Sequence, residues 1–376
     1  MLVNSSLTKQ AVWQTLLTSS GVRVTKIKYT LPLKETGAGA FLPTIAICCP
    51  NLQIFYLFAS EEVSDQDMAL QNVLLNCTKL QELHIRISKS SNMKIDHTSL
   101  LNVLCTSLLS LTLEDIQCGE LVASLLNSAP NIQSLSLLHC NLQLENCGSA
   151  LESISSNTYN LKLQGVKDEM LIKMIDGCPN LKKIDLYDEF KRAKSISQRS
   201  VLHLATHTTG LSMVDLSYVA FFDAGLLALA EHHADTLNFL GILHCSRLSA
   251  TAINATLRQC TQLTHFRCHF NRFTALLDFS LLANATDLHF AINNDCSLFA
   301  SMALHCKKLV HLRVDNTWDC DLRDGLKDIL LHCPQISTID LFYSNADKFM
   351  GEERLQELKC LHPNLVVCED LLTPSV

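Results

Sequence analysis

Glycine and proline are scarce in this chain, at 12 and 8 of 376 residues, and no glycine cluster is suited to cradle a phosphate. Nucleotide binding of the P-loop or dinucleotide kind therefore finds no support. A basic excess is missing too, since 30 Lys and Arg face 37 Asp and Glu for a formal charge of −7. The stretch from Asp315 to Val376 holds 12 acidic and 5 basic side chains, which accounts for the whole −7 and leaves the rest balanced at 25 against 25. A dedicated nucleic-acid binder needs clustered positive charge for its phosphate contacts, so that class is set aside. No apolar run reaches the length of a membrane-spanning helix, and MLVNSSLTKQ lacks a charged segment followed by an apolar core. The expectation is a cytoplasmic or nuclear protein with no membrane partner. In that setting the 17 cysteines read as reduced thiols rather than a disulfide framework.

What the chain does contain is one phrase, repeated. Cys306 leads Leu309, Leu312 and Val314, and Cys333 leads Ile336, Ile339 and Leu341. Between them Leu322, Leu326, Ile329 and Leu330 share one helical face, with Asp321 placed to cap the helix and Asp324 in its first turn. The phrase is anchored again at Leu52, Leu80, Leu108, Ile132, Thr158, Leu181, Leu211, Leu237, Leu263, Ala285 and, weakly, Leu365, after a degenerate copy at Val24, Ile27 and Tyr29. Successive anchors lie 22 to 30 residues apart. Thr158 and Ala285 are poor anchors, held in place by the spacing. One strand, one turn and one helix per period specify an α/β architecture, a right-handed leucine-rich-repeat solenoid or horseshoe of about 13 repeats, strands concave and helices convex. We expect residues 1–20 to form an N-terminal helix acting as cap or partial repeat, 21–372 a single repeat domain, and 373–376 a tail.

Three residues before each anchor the side chain is small or Cys in twelve of fourteen copies, Cys178, Cys260, Cys306 and Cys333 among them. A compact, weakly polar group suits the crowded return from helix to strand, and once-per-period thiols do not converge as metal ligands do. Eight residues past the anchor, Ser60, Ser88, Cys140, Cys245, Asn271, Asn293, Thr317 and Ser344 are placed to hydrogen-bond neighbouring loop backbone. His203 and His207 stand four apart on an expected helix, but no Glu follows His203 as a zinc-protease pattern would need. No catalytic residue, metal or cofactor is expected.

Strand residues alternate faces, so the second, fourth and sixth positions after each anchor point away from the core. In the C-terminal repeats these are His265, Arg267, His269, His289, His311, Arg313, Asp315, Asp340 and Phe342, and elsewhere Tyr56, Phe58, His84, Arg86, Tyr187, Asp215 and Phe239. Aromatic and Arg side chains on a rigid sheet are the usual anchors of protein interfaces. The first set is expected to form one basic patch bordered by Asp315 and Asp340, docking an acidic or phosphorylated protein segment, with both arginines dispensable for folding. The N-terminal set is the secondary candidate.

Cys178-Pro179-Asn180-Leu181-Lys182-Lys183-Ile184-Asp185-Leu186, and Leu211-Ser212-Met213-Val214-Asp215-Leu216-Ser217 leading to Phe222-Asp223-Ala224-Gly225-Leu226, resemble the cysteine-containing repeats of F-box/leucine-rich-repeat proteins. The resemblance covers nearly the whole chain. It implies substrate recognition by the repeat array, with docking to a cullin-RING ubiquitin ligase through a separate F-box. The helical stretch before Gly21 is too short for that module, so it is expected to be missing here or supplied elsewhere. Ribonuclease-inhibitor-like and Ran GTPase-activator arrays share the solenoid, which keeps a small-ligand receptor or a GTPase-regulating protein as alternatives.

Overall fold

The structure, a computed structural model, describes residues 2–4, 21–30, 41–59, 67–87, 105–116, 119–140, 142, 151, 154, 156–187, 196–270, 276–293, 298–318, 322–343 and 352–371. The chain packs as two compact units, Met1–Leu181 and Lys182–Val376, and each is built of α/β leucine-rich repeats. In the first, β1 (Leu2–Asn4), β2 (Lys26–Thr30), β3 (Ile54–Ala59), β4 (Glu82–Ile87), β5 (Ser110–Glu114), β6 (Ser134–Leu138) and β7 (Asn160–Leu163) pair in parallel, in sequence order. Helices Phe41–Cys48, Asp67–Asn76, Gly119–Ser128 and Asp168–Gly177 follow strands of this unit. In the second, β8 (Lys183–Asp185), β9 (Met213–Asp215), β10 (Phe239–Ile242), β11 (His265–Phe270), β12 (Asp287–Asn293), β13 (His311–Trp318), β14 (Thr338–Tyr343) and β15 (Val366–Leu371) do the same. Its connections are helices Gln198–His207, Asp223–His233, Ala250–Gln259, Leu298–His305, Arg323–His332 and Glu352–Leu361, with a single 3-10 turn, Phe279–Leu282, in the shortest period.

Every anchor from Leu52 onward is buried, including the two poor ones, Thr158 and Ala285, at 0% exposure. Thr158 tolerates an apolar position because its hydroxyl donates to Ile132 O of the preceding repeat at 2.7 Å. The helix Arg323–His332 buries Leu326, Ile329 and Leu330 as its periodicity requires, with Leu322 and Cys333 buried at its two ends. Its N-cap is Leu322, without a side-chain cap, and Asp321 lies outside the described residues. The expected helix over 1–20 meets a different start: Leu2–Asn4 is a strand pairing with β2, and residues 5–20 lie outside the described residues.

The return from helix to strand uses the cysteine backbone twice. Cys178, Cys260, Cys306 and Cys333 each donate N–H to a carbonyl of the last helical turn at 2.8–3.0 Å, and their carbonyls accept from Leu181, Leu263, Leu309 and Ile336 at 3.1–3.2 Å. A small side chain suits the space left there between stacked repeats, although Leu282 and His362 hold the same position, their carbonyls accepting from Ala285 and Leu365 at 2.9 and 3.0 Å. Around His233 the pattern breaks in two successive returns: Leu211 N–H donates to Nδ1 of His233, at the end of the next helix, at 3.3 Å, and Leu237 N–H donates to His233 O at 3.0 Å. His233 is buried in the return that leads to Leu237, where the sequence pattern had placed Ala234.

Cross-repeat bonds form two ladders. At the turn after the strand, Cys140 Sγ donates to Leu113 O and Cys245 Sγ to Leu216 O at 3.3 and 3.2 Å. Ser60, Ser88, Asn271 and Ser344 lie outside the described residues. The sequence pattern gave no notice of the second ladder, one residue before the anchor. There Asn51, Asn131 and Asn180 donate to Val22 O, Thr106 O and Ser156 O at 2.8–3.2 Å, and Ser107 and Thr236 to Leu80 O and Leu211 O at 2.8 and 2.7 Å.

Thiol chemistry tests this packing. Burial pushes the thiols of Cys178 and Cys306 up to about 12 and that of Cys260 to about 11, and raises Cys333 as well. Cys360 and Cys368 are exposed. A maleimide added to native protein should label Cys360 and Cys368 and reach the four return cysteines only with denaturant, as read by peptide mass mapping.

Candidate partner-binding face

The parallel register of the second unit decides which side chains meet. Arg267, His289, Arg313 and Asp340 occupy one row across β11 to β14. His265, Asp287 and His311 form the row on one side, and His269, Ala291, Asp315 and Phe342 the row on the other. All nine residues expected from the sequence therefore lie on one continuous sheet face. Phe239, expected only as a secondary candidate, joins them, because its ring lies 4.8 Å from the Arg267 guanidinium and stacks on His265 at 5.9 Å.

The charges are arranged differently from a basic patch with an acidic border. Asp315 sits inside the cluster, taking a 2.7 Å hydrogen bond from His289 Nε2 and a 3.1 Å bond from Arg313 Nε. Asp340 and Asp287, the latter not anticipated, hold His311 from two sides, at 2.9 Å to Nε2 and 2.7 Å to Nδ1. Asp215 reaches Arg267 from β9, across β10, with Oδ2 3.4 Å from the guanidinium. That reach exists because β10 carries Gly241 in the same row: a Cβ there would overlap the Asp215 carboxylate. Asp215, Phe239, His289 and Asp315 are consequently buried rather than open to solvent.

Each titration follows from these contacts. The hydrogen bond to Asp287, opposed by partial burial and reinforced by the bond to Asp340, raises the His311 pKa to about 8, so the imidazole is cationic at neutral pH. Burial lowers His289, and the bond to Asp315 only partly offsets it, leaving a neutral ring whose Nε2–H donates. Burial would raise Asp315, but the His289 bond and the Arg313 charge outweigh it and hold the carboxyl below its usual range. Burial raises Asp215 in spite of its bonds from Ser217 and the nearby Arg267. The cations Arg267, Arg313 and His311 are thus set against the side chains of Asp215, Asp287, Asp315 and Asp340.

In the first unit the secondary candidates also meet. The rings of Tyr56 and Phe58 lie 5.6 and 5.3 Å from that of His84, while Arg86 pairs with Glu114 at 3.4 Å. Lys26 and Lys28, missed in the sequence, stand over Tyr56 and Phe58 at 5.2 and 5.0 Å. Burial lowers the His84 pKa, against the pull of Glu114. Tyr187 lies in the second unit, edge-on to Tyr218 at 5.5 Å. His203 and His207 stack at 3.7 Å, with His207 Nδ1 3.1 Å from His203 O.

No family model and no curated protein matches the sequence. Among solved structures the chain is similar to one in the crystal structure of the Rad7 and Elc1 complex from yeast, with 12% identity, a TM-score of 0.54, and coverage of 97% of this chain and 88% of that one. It also aligns with the leucine-rich repeat-containing protein LegL7 from Legionella pneumophila at 14% identity and a TM-score of 0.41, over 64% of this chain and 83% of that one. The first likeness is one of fold, and it agrees with the stacked strand-and-helix repeats described above.

Two measurements check this geometry. Gly241→Ala should destabilise the protein by about 1–3 kcal/mol through the clash with Asp215, and Asp215→Ala should recover part of that loss, a non-additivity visible in a double-mutant cycle by urea unfolding. The charge on His311 contributes stability that is fully present below its unfolded value near ~6.5 and lost as pH rises through about 8. With its side chain 32% exposed, solvent screening reduces that contribution to ~1 kcal/mol. Unfolding curves taken across this range should show the loss in wild type and not in His311→Gln.

Proposed function

We propose that this chain is a non-enzymatic protein-interaction scaffold whose second unit recognises an acidic protein segment on its strand face. The observation that carries the reading is the depth of the charges. Arg267, Arg313 and His311 are 36%, 37% and 32% exposed, whereas their partners Asp215, Asp315, Asp287 and Asp340 are 2%, 13%, 23% and 25% exposed. Three cations face four carboxylates, yet an approaching partner meets the cations first. Arg313 lies 4.1 Å from the Phe342 ring, as Arg267 lies on Phe239, so both guanidiniums are braced from one side and keep donors for a carboxylate or phosphate on the other.

Substrate recognition for a cullin-RING ubiquitin ligase is the biological role this reading favours. It is supported by the repeat sequences around Cys178 and Leu211, which resemble those of F-box/leucine-rich-repeat proteins, and by the fold likeness to a chain crystallised as the Rad7 and Elc1 complex. Affinity purification of the tagged chain with mass spectrometry tests the role directly. Absence of cullin-ligase components would remove the ligase assignment and leave the scaffold reading in place.

Deleting either arginine would leave Asp215 or Asp315 without its cation, so a change to Ala would mix a loss of stability with a loss of binding. Arg267→Lys with Arg313→Lys keeps the charge and removes the planar fork and the ring stacking. Against a partner recovered by purification, this double variant should bind at least ~10-fold more weakly, about 1.4 kcal/mol, while its unfolding midpoint stays within a few degrees of wild type. Unchanged affinity in the folded variant would move the binding face elsewhere.

A further inference from the structure

One row of the second unit's sheet face runs Asp215, Gly241, Arg267, His289, Arg313, Asp340 across β9 to β14. Its two arginines stand two strands apart at the backbone, but their side chains lean away from each other. Arg267 reaches across the bare Gly241 position until Nη1 is 3.4 Å from Asp215 on β9, which puts its guanidinium over β10, against the Phe239 ring. Arg313 turns the opposite way, with its guanidinium 4.1 Å from the Phe342 ring of β14 and its Nε held by Asp315. Between them His289 is buried and its Nε2–H is committed to Asp315. His311 has both ring nitrogens on aspartates, so its charge comes without a donor to spare. Donors for an incoming anion therefore lie at two separate places. With strands ~4.8 Å apart, a guanidinium over β10 and another between β13 and β14 are separated by roughly 14–17 Å. A single carboxylate or phosphate is far too small to touch both.

We infer that the recognised segment is extended, lies across the strands, and carries two acidic side chains four residues apart. The inference rests on the reading of the strand face as an acidic-segment site and adds to it the spacing that the site selects. At ~3.3 Å per residue, four residues advance ~13 Å, and the length of the side chains covers the remainder. An even spacing also keeps both carboxylates on one face of the extended segment, whereas three or five residues would turn the second one away. In a helix the same pair stands only ~6 Å apart and meets one arginine at a time. The two anions are carboxylates, Asp or Glu. Each guanidinium already faces an aspartate, Asp215 or Asp315, so an arriving anion has negative charge behind its cation, and a monoanion is repelled less there than a phosphate dianion.

Synthetic peptides of threonine and glycine test the spacing by steady-state surface plasmon resonance on the immobilised full chain. They carry one glutamate, or two glutamates set two, three, four or six residues apart, so that every pair has the same charge. The four-residue pair should bind wild type at least fivefold more tightly than the single glutamate and than each of the other pairs. Arg267→Lys or Arg313→Lys, which keeps the charge and loses the planar fork, should bring the four-residue pair down to the others. Since the spacing series is read on wild type, it decides the matter even where a variant fails to fold. Equal affinity for all pairs, or a preference for the two-residue pair, overturns the spacing and leaves the acidic-segment reading standing. Tighter binding of a phosphoserine pair at the four-residue spacing overturns the choice of carboxylate. Failure of every peptide to bind wild type overturns both the spacing and the acidic-segment reading.

Discussion

The turn from helix to strand is where the repeats become a solenoid. A single repeat has an apolar face it cannot cover, so each must lie against its neighbour, and the distance between them is set at the return. There the backbone makes two bonds within three residues, the anchor side chain is fully buried, and side-chain amides one position earlier reach the carbonyls of the preceding repeat. A larger residue at Cys178 or Cys306 would wedge two repeats apart, and the misfit would pass to the strands that depend on that spacing. The rows of the candidate face are aligned because that spacing recurs from repeat to repeat.

That dependence explains what could be read in advance. Anchors and return cysteines face a packing requirement that repeats every period, so their residue types repeat too, and even Thr158 could be placed by spacing alone. Alternation along each strand then named the rows of the sheet face turned away from the core, His265 to Phe342 included. Features that occur once were illegible. The short strand at Leu2–Asn4 has no periodic partner in sequence, His233 replaces a small residue by reaching from the next helix, and Asp287 occupies the slot two residues after a weak anchor. Tyr218 and His244 stand on the turn beyond their strands, where alternation no longer applies. Glycine at 165 hints at that turn in hindsight, but Asp115 and His139 adopt it as well, so residue type does not mark it.

Depth, too, was invisible in one dimension. Alternation assigns a residue to a face and says nothing of how far its polar end rises from it. Asp and Arg on the same face separate by length: the short carboxylates stay near the sheet, where imidazoles and guanidiniums can cover them, and the long cations end above. Gly241 extends the principle, since its missing side chain lets a carboxylate from one strand serve a cation two strands away.

Strand length in the second unit has a geometric consequence. β9 to β14 all begin in one row, Met213, Phe239, His265, Asp287, His311 and Thr338, so every added residue projects from the opposite edge. β9 and β10 hold 3 and 4 residues, and β11, β12 and β13 hold 6, 7 and 8. At ~3.3 Å per residue the sheet grows from roughly 10 Å to about 26 Å in width, with an abrupt rise at β11. A flat ribbon would let a bound chain slide in either direction. This terrace has a kerb, and whatever lies along the narrow strands meets it from one side alone, which gives the surface a sense of direction that none of its individual contacts possesses.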